Sequence, residues 1–139
     1  MEYESERAMP ADSRTVFDVA SDASALGRWL PADIHVHAIA SDLVEGEEAG
    51  VAEGVLMRVV PDQLRLEWGT RRTPDYTGWL QVADRADGAS SVTVHLSFLG
   101  DHPQAHPSGK ERNAVQAMLE ESLGRLADVV TGRVARAGR

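Results

Sequence analysis

The chain has 139 residues, 42% of them apolar, a formal net charge of −8 and no cysteine. That is enough apolar material for one core without staples, and the missing cysteine excludes a disulfide framework, a thiol nucleophile and every thiolate metal centre. The acidic balance argues against a nucleic-acid partner, because binding a polyanion needs a basic surface that displaces counterions.

Residues 2–9 alternate, with Tyr3, Ser5, Arg7 and Met9 on one side and Glu2, Glu4, Glu6 and Ala8 on the other. The period of two predicts a strand with a wet outer side, stopped by Pro10. Asp12 stands where an N-cap belongs, ahead of Val16, Phe17, Val19 and Ala20 at the spacing of a short helix. Ser21-Asp22 restarts a second short helix through Leu26 and Trp29, which Pro31 ends.

Beyond Pro31 the strand period returns and persists. Strands are predicted over Ile34 to Ala40, Gly50 to Val60, Leu64 to Trp68, Tyr76 to Ala83 and Val92 to Phe98, making six with the first. Their links carry turn residues: Glu45-Gly46, Pro61-Asp62, Thr73-Pro74-Asp75 and Asp87-Gly88. Links this short imply antiparallel neighbours, since a parallel pair needs a long crossover. Residues 100–109 read as a loop, after which Ser108 and Glu111 form a capping box. Val115, Met118, Leu119, Ser122, Leu123, Leu126, Val129 and Val130 then recur at helical spacing, a helix of roughly 40 Å if it runs to about Arg136. Gly124 in its middle marks a close approach or a bend. Arg133, Arg136 and Arg139, three apart, read as a solvated helix face.

These elements predict one α+β domain over residues 1–139: a curved antiparallel sheet of six or seven strands around a long C-terminal helix. A strongly twisted sheet with one long helix to cover it curls around that helix and can leave a hollow between them. Inward strand positions that would line it are Val55, Met57, Leu66, Trp68, Leu80, Val94, Leu96 and Phe98; the helix would add Met118, Leu119, Ser122 and Leu126. The same side chains would equally well fill the space as ordinary core. Ser122 is either a polar handle or a hydroxyl bonded back to its own helix. Trp79 is out of phase with Leu80 and Val82, and its face is left open.

His35 and His37 share one face of a predicted strand, but no third ligand accompanies them and the apolar face is the other one, so neither a metal nor a cofactor is expected. His102 and His106 fall in the loop before the long helix; a plain surface loop is the expectation, with a proton-transfer role as the alternative should that loop cover the cavity. Arg58, Arg72, Asp75 and Tyr76 stand near strand ends and form no recognisable catalytic set. The acidic N-terminus has no apolar core of signal-peptide length, and no apolar run could span a bilayer. A cytoplasmic protein is the expectation.

The stretch from Tyr3 to Pro31 resembles the opening of the START-like (SRPBCC) superfamily, through Ala11-Asp12, Val16-Phe17-Asp18-Val19, Ser21-Asp22 and Gly27-Arg28-Trp29-Leu30-Pro31. The whole element order is similar to bacterial single-domain members of its polyketide cyclase/dehydrase family. The resemblance implies a helix-grip fold with a cavity that admits hydrophobic ligands, and it sets Trp29 at the cavity mouth, where core packing and ligand contact are both open. Many members have seven strands, so a strand is either hidden here or trimmed. Asp42 to Gly50 lacks the glycine-rich loop of the allergen-like branch. Three functions follow as expectations: a carrier or sensor for a small apolar or aromatic ligand, a cyclase/dehydrase-type enzyme, or a protein-interaction module.

Overall fold

A computed structural model describes residues 1–30, 34–40, 43–48, 55–70, 75–102 and 104–137, with 34–40 and 43–48 described through their backbone alone. The first strand, β1, spans Glu2–Met9 and keeps Glu2, Glu4 and Glu6 exposed. Helix α1 covers Ser13–Ala20. Asp12 caps it by accepting from Thr15 N at 3.1 Å, and the helix buries its Val16, Phe17, Val19 and Ala20. Helix α2 is a single turn, Leu26–Trp29.

Strands β2 (Ile34–Ala40), β3 (Leu43–Glu48), β4 (Val55–Val60), β5 (Arg65–Thr70), β6 (Tyr76–Asp84) and β7 (Ser90–Phe98) follow, and helix α3 runs from Gly109 to Ala137. The strands form one sheet in the order β1-β7-β6-β5-β4-β3-β2, with every neighbouring pair antiparallel. β1 and β2 are therefore opposite edges, and α1 and α2 carry the chain from one to the other. α1 packs on β6 and β7, α2 on β2, and α3 on β1 and both short helices. The result is α+β and helix-grip-like.

The sheet has one strand more than the six read from hydrophobic pattern. It is β3, Leu43–Glu48, which pairs with β2 on one side and β4 on the other. Its sequence, Leu-Val-Glu-Gly-Glu-Glu, has little strand propensity of its own, and pairing with two neighbours overrides it. Of the third predicted strand, Gly50 to Val60, the described part is β4, Val55–Val60, and residues 50–54 lie outside the described set. Leu64 is also corrected. It is not a strand residue but closes the turn Pro61–Gln63 in the left-handed conformation, φ 52° and ψ 46°, a region that side chains such as leucine rarely enter. Gln81 holds this turn: its Nε2 donates to Gln63 O at 2.7 Å and Leu64 O at 3.2 Å, while Val82 N donates to Leu64 O.

The capping box forms as expected. Glu111 N donates to Ser108 Oγ at 3.2 Å, and Ser108 N donates to Glu111 Oε1 at 3.3 Å. At the other end, Arg133 is more than a solvated arginine. Its Nη2 meets Asp22 Oδ2 at 2.9 Å and ties α3 to the start of the α2 turn. Arg136 is exposed, and Arg139 lies outside the described residues.

Candidate functional site

Register places the inward side chains in rows across the sheet. One row runs Tyr3, Leu96, Gly78, Trp68 and Met57, each opposite the next. The row beside it runs Ser5, Val94, Leu80, Leu66 and Val59. On β4, Met57 is buried and Val55 half-buried; on β5, Leu66 is buried and Trp68 half-buried. On β6 and β7, Leu80, Val94, Leu96 and Phe98 are all buried. α3 brings Leu119, Ser122 and Leu126, buried, and Met118, half-buried. Trp29 joins from α2 with 3% of its surface exposed. Every apolar residue expected to line the interior thus belongs to one contiguous cluster or packs against it.

Gly78 explains how Trp68 fits. The indole lies directly over that glycine, where a Cβ would fall 2.5 Å from it. From there Trp68 Nε1 donates to Tyr76 Oη at 2.9 Å. The Tyr76 ring stacks on Phe98 with centroids 4.8 Å apart, and Tyr3 meets Phe98 edge-on at 5.8 Å. Trp79 points to the opposite face. It stacks on His95 at 5.4 Å, with the Arg65 guanidinium 4.7 Å from its ring, and has no part in the interior.

His102 corrects an expectation. It is buried, not on the loop surface, with its ring 4.6 Å from Phe98 and 5.7 Å from Tyr76. The loop 99–108 folds back to put it there, through Leu99 N to Asp75 O (2.7 Å) and His102 N to Leu99 O (3.2 Å). Gln104 N donates to His102 Nδ1 at 3.0 Å. Burial lowers the imidazole pKa, and the nearby Asp75 carboxylate offsets this only in part, so a neutral ring is favoured. His106 is exposed, as expected.

Two polar atoms mark the interior. Tyr3 Oη and Trp29 Nε1 are buried and have no hydrogen-bond partner among the described residues. Burial also raises the Tyr3 pKa, which keeps the phenol protonated; Arg112 and Glu111, at the start of α3, act on it in opposite directions. Tyr3 was legible only as one member of an alternating strand, since nothing in the local sequence says that its hydroxyl would be unpaired. Arg58 is exposed, Asp75 and Tyr76 sit beside His102, and Arg72 lies outside the described residues. The side chains of His35 and His37 also lie outside them. Among the described residues no three His, Asp or Glu side chains group to hold a metal, and no helix is long and apolar enough to cross a membrane.

Solved structures share this architecture. TTHA0849 from Thermus thermophilus matches with a TM-score of 0.74 at 20% identity, over 96% of this chain and 99% of that one. The Zhui aromatase/cyclase from a Streptomyces species matches with a TM-score of 0.66 at 13% identity, over 100% and 96%. A START superfamily protein from Mycobacterium smegmatis matches with a TM-score of 0.63 at 15% identity, over 98% of each chain. At such identities the likeness is one of fold. No curated protein matches the chain. A family model described as polyketide cyclase/dehydrase and lipid transport matches residues 1–131. The chain therefore belongs to the polyketide cyclase/dehydrase and lipid transport family, a START-like group that binds hydrophobic ligands.

Proposed function

We propose that this protein binds a small hydrophobic or aromatic molecule between the inner face of the sheet and α3, as a carrier or sensor. The observation that carries the reading is the pair of buried polar atoms, Tyr3 Oη and Trp29 Nε1, which have no partner among the described residues and lie in a mostly apolar interior. Each such group costs about 1–3 kcal/mol when nothing satisfies it. A bound molecule with a hydrogen-bond acceptor would remove that cost while its body lies against Leu66, Leu80, Val94 and Leu96. Family membership supports the same reading.

Nile red titration tests it. Saturable binding at one site per chain is expected, and Val94→Phe, which adds bulk at the middle of the inner face, should weaken it by at least about tenfold, or ~1.4 kcal/mol. A native chain that leaves Nile red emission unchanged would refute the reading.

A cyclase/dehydrase-type reaction is the second reading, and His102 is the observation that favours it. A neutral imidazole packed against Tyr76 and Phe98 is suited to moving a proton in an apolar setting. In that case His102→Ala removes turnover of a polyketone substrate and spares its binding. Turnover that survives the substitution eliminates His102 as the proton-transfer group.

A further inference from the structure

The two flanks of α3 differ. Gln116 fixes one flank on β1, its side-chain amide donating to Glu4 O at 3.2 Å. The other carries Met118, Ser122, Arg125, Val129 and Arg133 at steps of three or four residues, a single stripe along the helix. Met118 and Val129 pack against the core, Ser122 is 3% exposed, and Arg133 is committed to Asp22. Arg125 lies in the middle of this stripe, half-buried. Its guanidinium makes one hydrogen bond, from Nη2 to Ser122 Oγ at 3.0 Å, and no carboxylate among the described residues pairs with it.

The chain has 22 acidic residues, yet no carboxylate among the described ones neutralises this cation. Partly withdrawing a guanidinium from water is costly unless an anion compensates. Glu121 and Asp128 stand one turn away on either side, both exposed, and neither reaches it. A guanidinium has five donors in a planar fork that matches a carboxylate with two parallel bonds. One donor is spent on Ser122, and the hydroxyl holds the fork in place. A phosphate dianion would ask for a second cation. Arg133 is neutralised by Asp22, and Arg7 reaches Gly124, on the flank that faces β1.

We infer that Arg125, oriented by Ser122, binds the carboxylate of an amphipathic ligand whose apolar body lies against the inner face of the sheet. The molecule carried is then a hydrophobic carboxylic acid, not a neutral lipid or hydrocarbon. The inference rests on the ligand-binding reading above and specifies its ligand class.

Two probes that differ by one methyl group and the charge test it: dansyl-undecanoic acid and its methyl ester, titrated by dansyl fluorescence into the full chain. The acid is expected to bind at least about tenfold tighter than the ester, or ~1.4 kcal/mol. Arg125→Gln should erase the difference by weakening the acid alone. Ser122→Ala, which leaves the charge and removes its tether, should erase part of it. Equal binding of acid and ester by the wild type overturns the inference and leaves the apolar site standing, as does an acid preference that survives Arg125→Gln. Binding of neither probe overturns both. The wild-type comparison decides even if a variant fails to fold.

Discussion

Replacing Gly78 with alanine puts a methyl group where the Trp68 indole lies. An ideal Cβ there falls 2.5 Å from Trp68 Cε2 and Nε1 and 2.7 Å from Cζ2. Non-bonded carbons settle about 3.5–4.0 Å apart, so the indole must retreat by roughly 1 Å. That movement pulls Nε1 off Tyr76 Oη, now 2.9 Å away, and disturbs the Tyr76–Phe98 stack behind it. Overpacking of this kind costs about 1–3 kcal/mol, and the lost hydrogen bond about 0.5–1.5 kcal/mol. Against these, alanine stabilises by about 0.4–1 kcal/mol by restricting the unfolded chain. A net loss of about 2 kcal/mol is predicted, which lowers the urea midpoint by about 1 M if the slope is ~2 kcal/mol/M. Gly27→Ala is the control, because a Cβ at that exposed helical position meets nothing within 4 Å. It should stabilise by about 0.4–1 kcal/mol, the opposite sign. In a Trp68→Ala background the Gly78→Ala penalty should vanish. An unchanged midpoint for Gly78→Ala, or a penalty that persists without the indole, refutes the reasoning.

Two further perturbations follow from the charged groups. His102 has a folded pKa below its ordinary 6.5, so the unfolded chain binds the proton first. Its contribution is present above about pH 6.5 and lost as pH falls towards the folded value. Urea midpoints of the wild type should therefore fall more steeply between about pH 7 and pH 5 than those of His102→Gln, and parallel curves would contradict the buried neutral ring. For Asp22 and Arg133, whose side chains are 32% and 36% exposed, solvent screening holds the pair to about 0.5–1 kcal/mol. A double-mutant cycle with Asp22→Asn and Arg133→Ala should return that coupling. The Asp22 pKa is lowered first by the Ser24 hydroxyl and then by Arg133, so its contribution is present above its ordinary 3.8 and disappears as pH drops below it. Zero coupling would mean that the contact does not hold α3 to the α2 turn.

Much of the fold was legible because it rests on local pattern. Leu66, Leu80, Val94 and Leu96 follow a period of two that only one buried face satisfies. Asp12 and the Ser108–Glu111 box mark helix starts by chemistry confined to four residues. What escaped depends on distant partners. β3 is half glutamate, with a glycine in its middle, and becomes a strand through pairing on both edges. Leu64 accepts a left-handed backbone because Gln81, in another strand, holds the turn. His102 reads as loop in isolation and is buried because its loop folds onto Phe98 and Tyr76. The site was legible in part for the same reason. The apolar lining follows from strand phase, whereas the hydroxyl of Tyr3, the indole nitrogen of Trp29 and the cation of Arg125 are marked by the hydrogen-bond or carboxylate partners they lack among the described residues.

Uptake of a small apolar molecule into the interior between sheet and α3 is the proposal on which the other readings depend. Native mass spectrometry of the purified full chain, followed by denaturing extraction, tests it most directly. The account predicts a bound species at near one-to-one that survives gentle desolvation, and an extract containing a hydrophobic carboxylic acid. A chain that flies at its bare mass, remains so after incubation with dansyl-undecanoic acid, and yields no apolar compound would contradict it.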